Sequence, residues 1–463
     1  MVFPSLEFAI FFPAVLALSW VLMPHPRLWK PFILVASYVF YGAANPRFCI
    51  LLAIVTLANQ VGALAVHRAG DERRRRLFTG GTVVANLAVL GVFKYYGFFT
   101  EDFDRLLDSF GLGLPLPLLT IALPIGLSFY IFQAISYVVD VKRGLLDPAP
   151  TIDVAVYLSF FPHVVAGPIV RAREFLPQLT SPRDPKNVAV GAGIVLIALG
   201  LVKKVALADY LARNVVDPVF GVPEAYSAPD VALASYAYAA QIYCDFSGYT
   251  DIAIGVALLM GFVFPQNFRA PYRATSFRDF WQRWHITLSR YLRDFLYIPL
   301  GGNRGGKLQT ARNLMITMTL GGLWHGAAWG FVLWGALHGG GLVIERVLRG
   351  RMDAPGWLRW AVVFHAVVFG WILFRSRDLD VAGTFLTRLT EPGPATLWTV
   401  PSVLAVVTVI GFQLLPERPL ERVRERLAEL SPAALGAGLA ATIAIVGATV
   451  PSQAVPPFIY FQF

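Results

Sequence analysis

The sequence predicts an all-α, polytopic membrane protein, and three observations support this prediction. The chain is strongly apolar, apolar stretches of membrane-spanning length recur along it, and arginines collect in short clusters between them. These observations bear in turn on the environment of the chain, its secondary structure and its orientation.

Composition indicates the environment. Of the 463 residues, 56% are hydrophobic and only 15% are charged, with a mean hydropathy of +0.59. A soluble protein carries about 25% charged residues. The chain is therefore expected to lie in a membrane, as a single embedded domain over residues 1–463.

Twelve apolar stretches recur, the first at 8–23 and the last at 433–450. A membrane-spanning helix needs roughly 20 apolar residues, whereas 231–263 and 314–345 exceed this length and 31–41 falls short of it. Long runs of Leu, Ala and Val favour helices over barrel strands. We expect about ten to twelve transmembrane helices, with re-entrant and interfacial helices among them.

The arginine clusters predict the orientation, because Lys and Arg collect in cytoplasmic loops. One basic run lies at 67–76, and another lies at 417–426, before the last apolar stretch. The acidic segment 101–108 is then expected outside. Both termini are predicted to be extracytoplasmic. This charge pattern does not indicate nucleic-acid binding.

Residues 264–312 interrupt the apolar pattern with nine Lys and Arg against two acids, among many aromatic residues. From Phe277 to Phe295, apolar residues recur at three- and four-residue steps, which predicts one helical stripe with His285 at its edge. One interpretation is an interfacial helix against lipid phosphates. The other adds a cytoplasmic phosphate-bearing acyl donor, held by arginines such as Arg283 and Arg304.

The glycine-rich segment IPLGGNRGG at 298–306 must end this helix. It lacks the spacings of known phosphate loops and predicts no phosphate site by itself. Cys49 and Cys244 show no metal-ligand spacing, so they are expected in the core, and no metal site is predicted.

The motif GLWHGAAWGF at 322–331 places one imidazole, that of His325, among small and aromatic residues. An ionisable side chain at membrane depth is costly, so it marks a functional site by default. An imidazole, with an ordinary pKa of about 6.5, can take and return a proton at neutral pH.

Several motifs together resemble the membrane-bound O-acyltransferase family. They are RWHITLS at 283–289, YIPLGGN at 297–303, and LWHG through WGALHG at 323–339. The upstream motifs FFPHVVAGPIVR at 160–171 and YCDFSGY at 243–249 resemble its bacterial polysaccharide branch.

The resemblance implies a catalytic histidine at His325 and a partner at His285, near the narrowest part of a central tunnel. Trp324, Trp329 and Asn303 would be supporting residues. His338 is also expected only to support, because thirteen residues turn about 220° around a straight helix.

At the C-terminus, residues 457–463 contain the pattern Phe-x-Tyr-x-x-Phe. It resembles the terminal motif of a small membrane protein that works with the D-alanyl-transferring member of the family, and it suggests Tyr460 as a transient acyl acceptor. A phenol, with an ordinary pKa of about 10, is a better leaving group than an alkyl alcohol. The alternative role of Tyr460 is an interfacial aromatic anchor.

The resemblance implies transfer of an acyl group, acetyl, from a cytoplasmic donor toward an extracytoplasmic polysaccharide such as alginate, in the bacterial inner membrane. The donor would be acetyl-CoA or a similar thioester, with no tightly bound cofactor. An extracytoplasmic, esterase-like partner protein would complete the transfer. The alternatives are D-alanyl transfer to a cell-wall polymer, a secondary transporter or flippase, and a scaffold subunit without chemistry.

Overall fold

A computed structural model describes residues 1, 3, 5–98, 100, 107, 123–348 and 354–449. All regular secondary structure in this part of the chain is helical. The all-α prediction is confirmed. The chain divides into two compact units, Met1–Ala189 with Val256–Phe264, and Val190–Gly255 with Pro265–Phe463.

The first unit contains longer helices followed by short helical segments. Its core is aromatic: the ring of Phe175 stacks on Phe262 at 5.0 Å, and the guanidinium of Arg183 lies 4.0 Å from the ring centre of Trp29. The helices are Leu6–Leu22, Pro26–Gly42, Arg47–Arg68, Glu72–Leu90, Leu127–Lys142, Thr151–Ser159, Phe161–Val164 and Ala172–Phe175.

The second unit contains the residues singled out around His285 and His325. The long helical stretch Val190–Gly221 includes two π-helical segments, Val202–Ala208 and Ala212–Val216. The other helices are Ala228–Leu259, Phe277–Arg283, Ile286–Leu292, Gly306–His325, Trp329–Leu348, Gly356–Arg375, Leu379–Arg388, Val400–Leu414, Glu417–Ala428 and Pro432–Thr449.

Six described helices are long and apolar enough to cross a membrane. They become seven if Val400–Leu414 and Glu417–Ala428, which meet at 103°, form one broken span. Two shorter apolar helices are Leu6–Leu22 and Pro432–Ala448. The protein is therefore polytopic, and the count of ten to twelve transmembrane helices stays a prediction.

Glycines let two helices of the second unit cross at backbone contact. A Cβ on Gly200 would lie 2.6 Å from the carbonyl oxygen of Gly248, and one on Gly255 would lie 2.7 Å from that of Gly193. Small residues are how helices approach closely in a membrane. Beside this crossing, Lys204 Nζ lies 2.7 Å from Asp209 and 2.5 Å from Asp245, and all three side chains are buried.

The single helical stripe predicted from Phe277 to Phe295 is wrong. The helix Phe277–Arg283 ends, Trp284 is extended, His285 is left-handed with φ of 42°, and a second helix Ile286–Leu292 begins. A periodic apolar pattern survives such a break because both short helices still bury their apolar faces. The acidic segment 101–108 falls almost wholly outside the described residues.

Candidate functional site

His285 is held at the break between two short helices by the side chain of Asn267. The His285 Nδ1 lies 3.2 Å from the Asn267 Oδ1, which also accepts hydrogen bonds from the Thr287 backbone N–H at 3.1 Å and the Thr287 hydroxyl at 2.9 Å. Both His285 and Asn267 are completely buried.

These contacts determine the tautomer of His285. The Thr287 N–H can only donate, so the atom that it meets on Asn267 is the amide oxygen. That oxygen accepts, so Nδ1 of the neutral imidazole carries the proton and Nε2 carries a lone pair. The Nε2 atom has no hydrogen-bond partner among the described residues. His285 therefore presents a buried base.

His325 is the last residue of the helix Gly306–His325 and is 3% exposed. This helix packs tightly against Trp329–Leu348: a Cβ on Gly322 would lie 2.1 Å from the Phe331 carbonyl oxygen, and one on Gly335 would lie 2.4 Å from that of Met318. The close packing brings the imidazole of His325 to residues on the following helix.

Aromatic rings surround the two histidines. The ring of His325 lies 5.0 Å from Trp324, 5.1 Å from Trp334 and 5.2 Å from Phe374, each nearly edge to face. The ring of His285 lies 6.5 Å from that of His325 and 4.7 Å from Phe246. The structure thus brings the two predicted histidines together among buried aromatic side chains.

The straight helix assumed between His325 and His338 is wrong, because the two residues lie on different helices; the supporting role of His338 stays a prediction. One helix ends at His325, Gly326 is extended, and a second helix begins at Trp329. His338 lies 4.7 Å from the ring of Trp334, the same ring that contacts His325. Neither ring nitrogen of His338 has a hydrogen-bond partner among the described residues.

The other predicted residues fall in different places. Trp324 is buried beside both histidines, whereas Trp329 is 54% exposed. Asn303 and Arg304 are exposed in the glycine-rich loop. Tyr460 lies outside the described residues.

Arg283 lies on the surface two residues before His285. Its Nε donates to Asp279 at 2.7 Å and its Nη1 donates to Glu417 at 2.8 Å. Burial raises the pKa of the Glu417 carboxyl, but hydrogen bonds from Arg283 and Arg269 outweigh burial, so this pKa lies below its ordinary value. Glu417 is ionised at neutral pH.

Sequence reasoning missed Asn267 and the ring of Phe246. Asn267 lies in an irregular segment, 18 residues before His285 in the chain, and no spacing signals its side-chain contact. Phe246 belongs to the motif at 243–249, which drew attention only through its family resemblance. Only the packing of the long helix Ala228–Leu259 brings this ring to His285.

Comparison with known proteins identifies the family of this chain. Residues 105–374 match the membrane-bound O-acyltransferase (MBOAT) family. The chain is 43% identical to a probable alginate O-acetylase AlgI of Azotobacter vinelandii, over 86% of this chain and 79% of that protein. It is 35% identical to a peptidoglycan O-acetyltransferase of Helicobacter pylori, over 77% of this chain and 72% of that one.

A more distant relative is a teichoic acid D-alanyltransferase of Bacillus subtilis. It is 26% identical over 55% of this chain and 69% of its own length. Because the family match covers more than half of the sequence, a range that includes His285 and His325, the chain belongs to the membrane-bound O-acyltransferase family and is a multi-pass membrane O-acyltransferase.

Proposed function

We propose that this O-acyltransferase moves an acetyl group from a cytoplasmic acyl thioester, acetyl-CoA or a similar donor, for O-acetylation of an extracytoplasmic polysaccharide such as alginate. The relative named for alginate covers 86% of this chain at 43% identity, whereas the D-alanyltransferase covers 55% at 26%. This difference favours acetyl over D-alanyl.

The observation that carries the proposal is the buried base at His285 beside His325. Its Nδ1 is fixed on Asn267, its Nε2 has no hydrogen-bond partner among the described residues, and its ring lies 6.5 Å from that of His325. In a low-dielectric enclosure a fixed base needs no solvent reorganisation during proton transfer. A transporter or a scaffold gives no reason for this arrangement.

The chemistry balances with these groups alone. The acceptor hydroxyl loses its proton to the imidazole of His325 as its oxygen attacks the thioester carbonyl carbon. The C–O bond forms, the C–S bond breaks, and the imidazolium returns the proton to the leaving thiolate. His285 acts as the partner of His325 with the lone pair on its Nε2. The buried tryptophans Trp324 and Trp334 exclude water, which would otherwise hydrolyse the donor.

The route outward rests on the C-terminal segment 457–463. We place Tyr460 as the first acyl acceptor, since an aryl ester stays activated for onward transfer. A separate extracytoplasmic, esterase-like protein then passes the acetyl group to the polymer. Residues 1–463 would act as one domain in the inner membrane around a central tunnel, with 264–312 at the cytoplasmic side, both termini outside, and ten to twelve transmembrane helices.

His325→Ala should abolish acetylation of isolated polymer while the amount of membrane-inserted protein stays near wild type. The change removes the proton carrier and leaves the helix in place. His365→Ala is the matched control, because His365 is exposed on the helix Gly356–Arg375. Normal acetylation in cells that express His325→Ala would contradict the proposal and favour the scaffold or transporter hypothesis.

Asn267→Asp should move the acid limb of the acylation rate to higher pH. A carboxylate that accepts from Nδ1 stabilises the imidazolium of His285, so the Nε2 lone pair with which His285 acts as the partner of His325 is lost by protonation at a higher pH than in the wild type. The rate of thioester consumption by purified protein is measured across the pH range. An unshifted profile with a uniformly lower rate would mean that Asn267 only supports the fold.

Tyr460→Phe should stop export of acetyl groups although the protein assembles normally. Phe keeps the ring and its interfacial burial but removes the nucleophilic hydroxyl. Near-normal acetylation of isolated polymer would count against the shuttle. When the wild-type acyltransferase is expressed in cells that lack the downstream partner, its C-terminal peptide should gain the mass of an acetyl ester.

A cysteine at Lys307, in a variant without Cys49 and Cys244, tests the orientation. Lys307 is exposed, so it should react with a membrane-impermeant maleimide in inverted vesicles and not in intact cells. Gly70→Cys, in the basic run at 67–76, should show the same labelling pattern. A membrane-permeant maleimide serves as the control that each cysteine can react. Labelling in intact cells would reverse the proposed topology.

A further inference from the structure

An open cavity of about 510 Å³ lies on the surface of the second unit. Five arginines and one glutamate dominate its lining: Arg269, Arg273, Arg283, Arg418, Arg422 and Glu417. Three of the arginines come from the segment before His285, and the other charged residues come from the start of the helix Glu417–Ala428. Two parts of the chain thus contribute positive charge to one concave surface.

The single carboxylate in the lining is shared among three guanidinium groups. Oε2 of Glu417 lies 2.9 Å from Arg269, and Oε1 lies 2.8 Å from Arg283 and 3.4 Å from Arg273. Outside the lining, Asp279 also pairs with Arg283. Arg418 and Arg422 are exposed and have no ion pair among the described residues. The cavity keeps a net positive charge.

The donors suit a phosphate group. Guanidinium groups present planar forks of N–H donors that match phosphate oxygens, and they stay charged at all physiological pH values. The helix Glu417–Ala428, 12 residues long, begins at the cavity wall, so the positive end of its dipole and the backbone N–H groups of Glu417 and Arg418 lie there, whereas Pro416 and Pro419 have no N–H to offer.

The cavity is closely linked to the candidate site. The backbone N–H of Arg269 donates to the carbonyl of Arg283 at 2.9 Å, which pairs the two segments. Asn267 lies two residues before Arg269, and His285 lies two residues after Arg283. Asn267 and His285 contact each other. Two residues span at most roughly 7 Å of extended chain. A ligand anchored at the arginines therefore lies within one short step of the buried histidines.

We propose that this arginine-lined cavity binds a phosphate group. Two molecules could carry that phosphate: the acyl donor, in which case the inference rests on the proposed function, or an anionic phospholipid headgroup. In the first case the cavity anchors the donor while its thioester end extends toward His285. In the second case it anchors the protein surface in the membrane.

The test uses purified full-length protein in nanodiscs of phosphatidylcholine, which has no net charge. Coenzyme A without an acyl group is titrated by calorimetry, so that binding is measured without turnover. The test variant is Arg418→Gln with Arg422→Gln. The matched control is Arg424→Gln with Arg426→Gln, which removes equal charge from the same helix outside the cavity lining.

Wild type and control should bind coenzyme A, and the test variant should bind at least about tenfold more weakly, because hydrogen bonds to charged groups are lost. Inorganic phosphate should compete. A second arm uses nanodiscs that contain phosphatidylglycerol, with retained lipid measured by native mass spectrometry. Arginine-dependent retention of this lipid, without coenzyme A binding, would assign the phosphate to the headgroup.

If the test variant matches the control in both arms, the proposal is overturned. His325→Ala separates this result from the proposed function, because that variant should lose acetylation yet keep arginine-dependent binding. Acetylation that survives His325→Ala would overturn the function and leave the phosphate site standing.

Discussion

The amide oxygen of Asn267 accepts hydrogen bonds from the His285 ring, the Thr287 N–H and the Thr287 hydroxyl, and this one atom organises the break between the two short helices on either side of His285. It stabilises a left-handed residue that is not glycine, at a cost of about 1–2 kcal/mol. Hydrogen bonds of about 0.5–1.5 kcal/mol each offset that cost. The break in the helix therefore persists, and it turns His285 inward with a defined tautomer.

Close helix packing supplies the opposite side of the enclosure. Glycines at 322 and 335 let the helices Gly306–His325 and Trp329–Leu348 meet at backbone distance, which places the rings of His325 and Trp334 5.1 Å apart. A side chain at either glycine would separate the helices and move the imidazole. The ring of His338 lies 4.7 Å from that of Trp334, so the buried ring nitrogens of His338 lie close to the candidate site.

Only short stretches of chain separate the charged surface residues from the buried, uncharged residues around His285. The arginines and Glu417 stay at the surface, where hydration stabilises them, while His285 and Asn267, two residues away, are buried and uncharged. Burial of a guanidinium without a partner would cost far more than burial of a neutral imidazole. An anionic donor would therefore meet its counter-charges at the surface and only its neutral acyl end would enter the enclosure.

The sequence by itself determined the class of the protein. Apolar stretches predict membrane helices because a backbone in lipid must satisfy its own hydrogen bonds, and the motif around His325 indicates a functional site because an ionisable group is costly at membrane depth. It could not determine that His285 lies at a helix break, because the apolar period continues through the break. It also could not show that the helix is interrupted at 326–328, between His325 and His338.

Only the tertiary structure decided which distant residues meet. Asn267, Phe246 and the arginines on both sides of Glu417 come from separate segments, and their contacts depend on how helices cross and where loops return. Local periodicity reports which face of a helix is buried and not what that face is buried against. The enclosure around the histidines and the arginine-lined cavity are properties of that packing, which no short motif encodes.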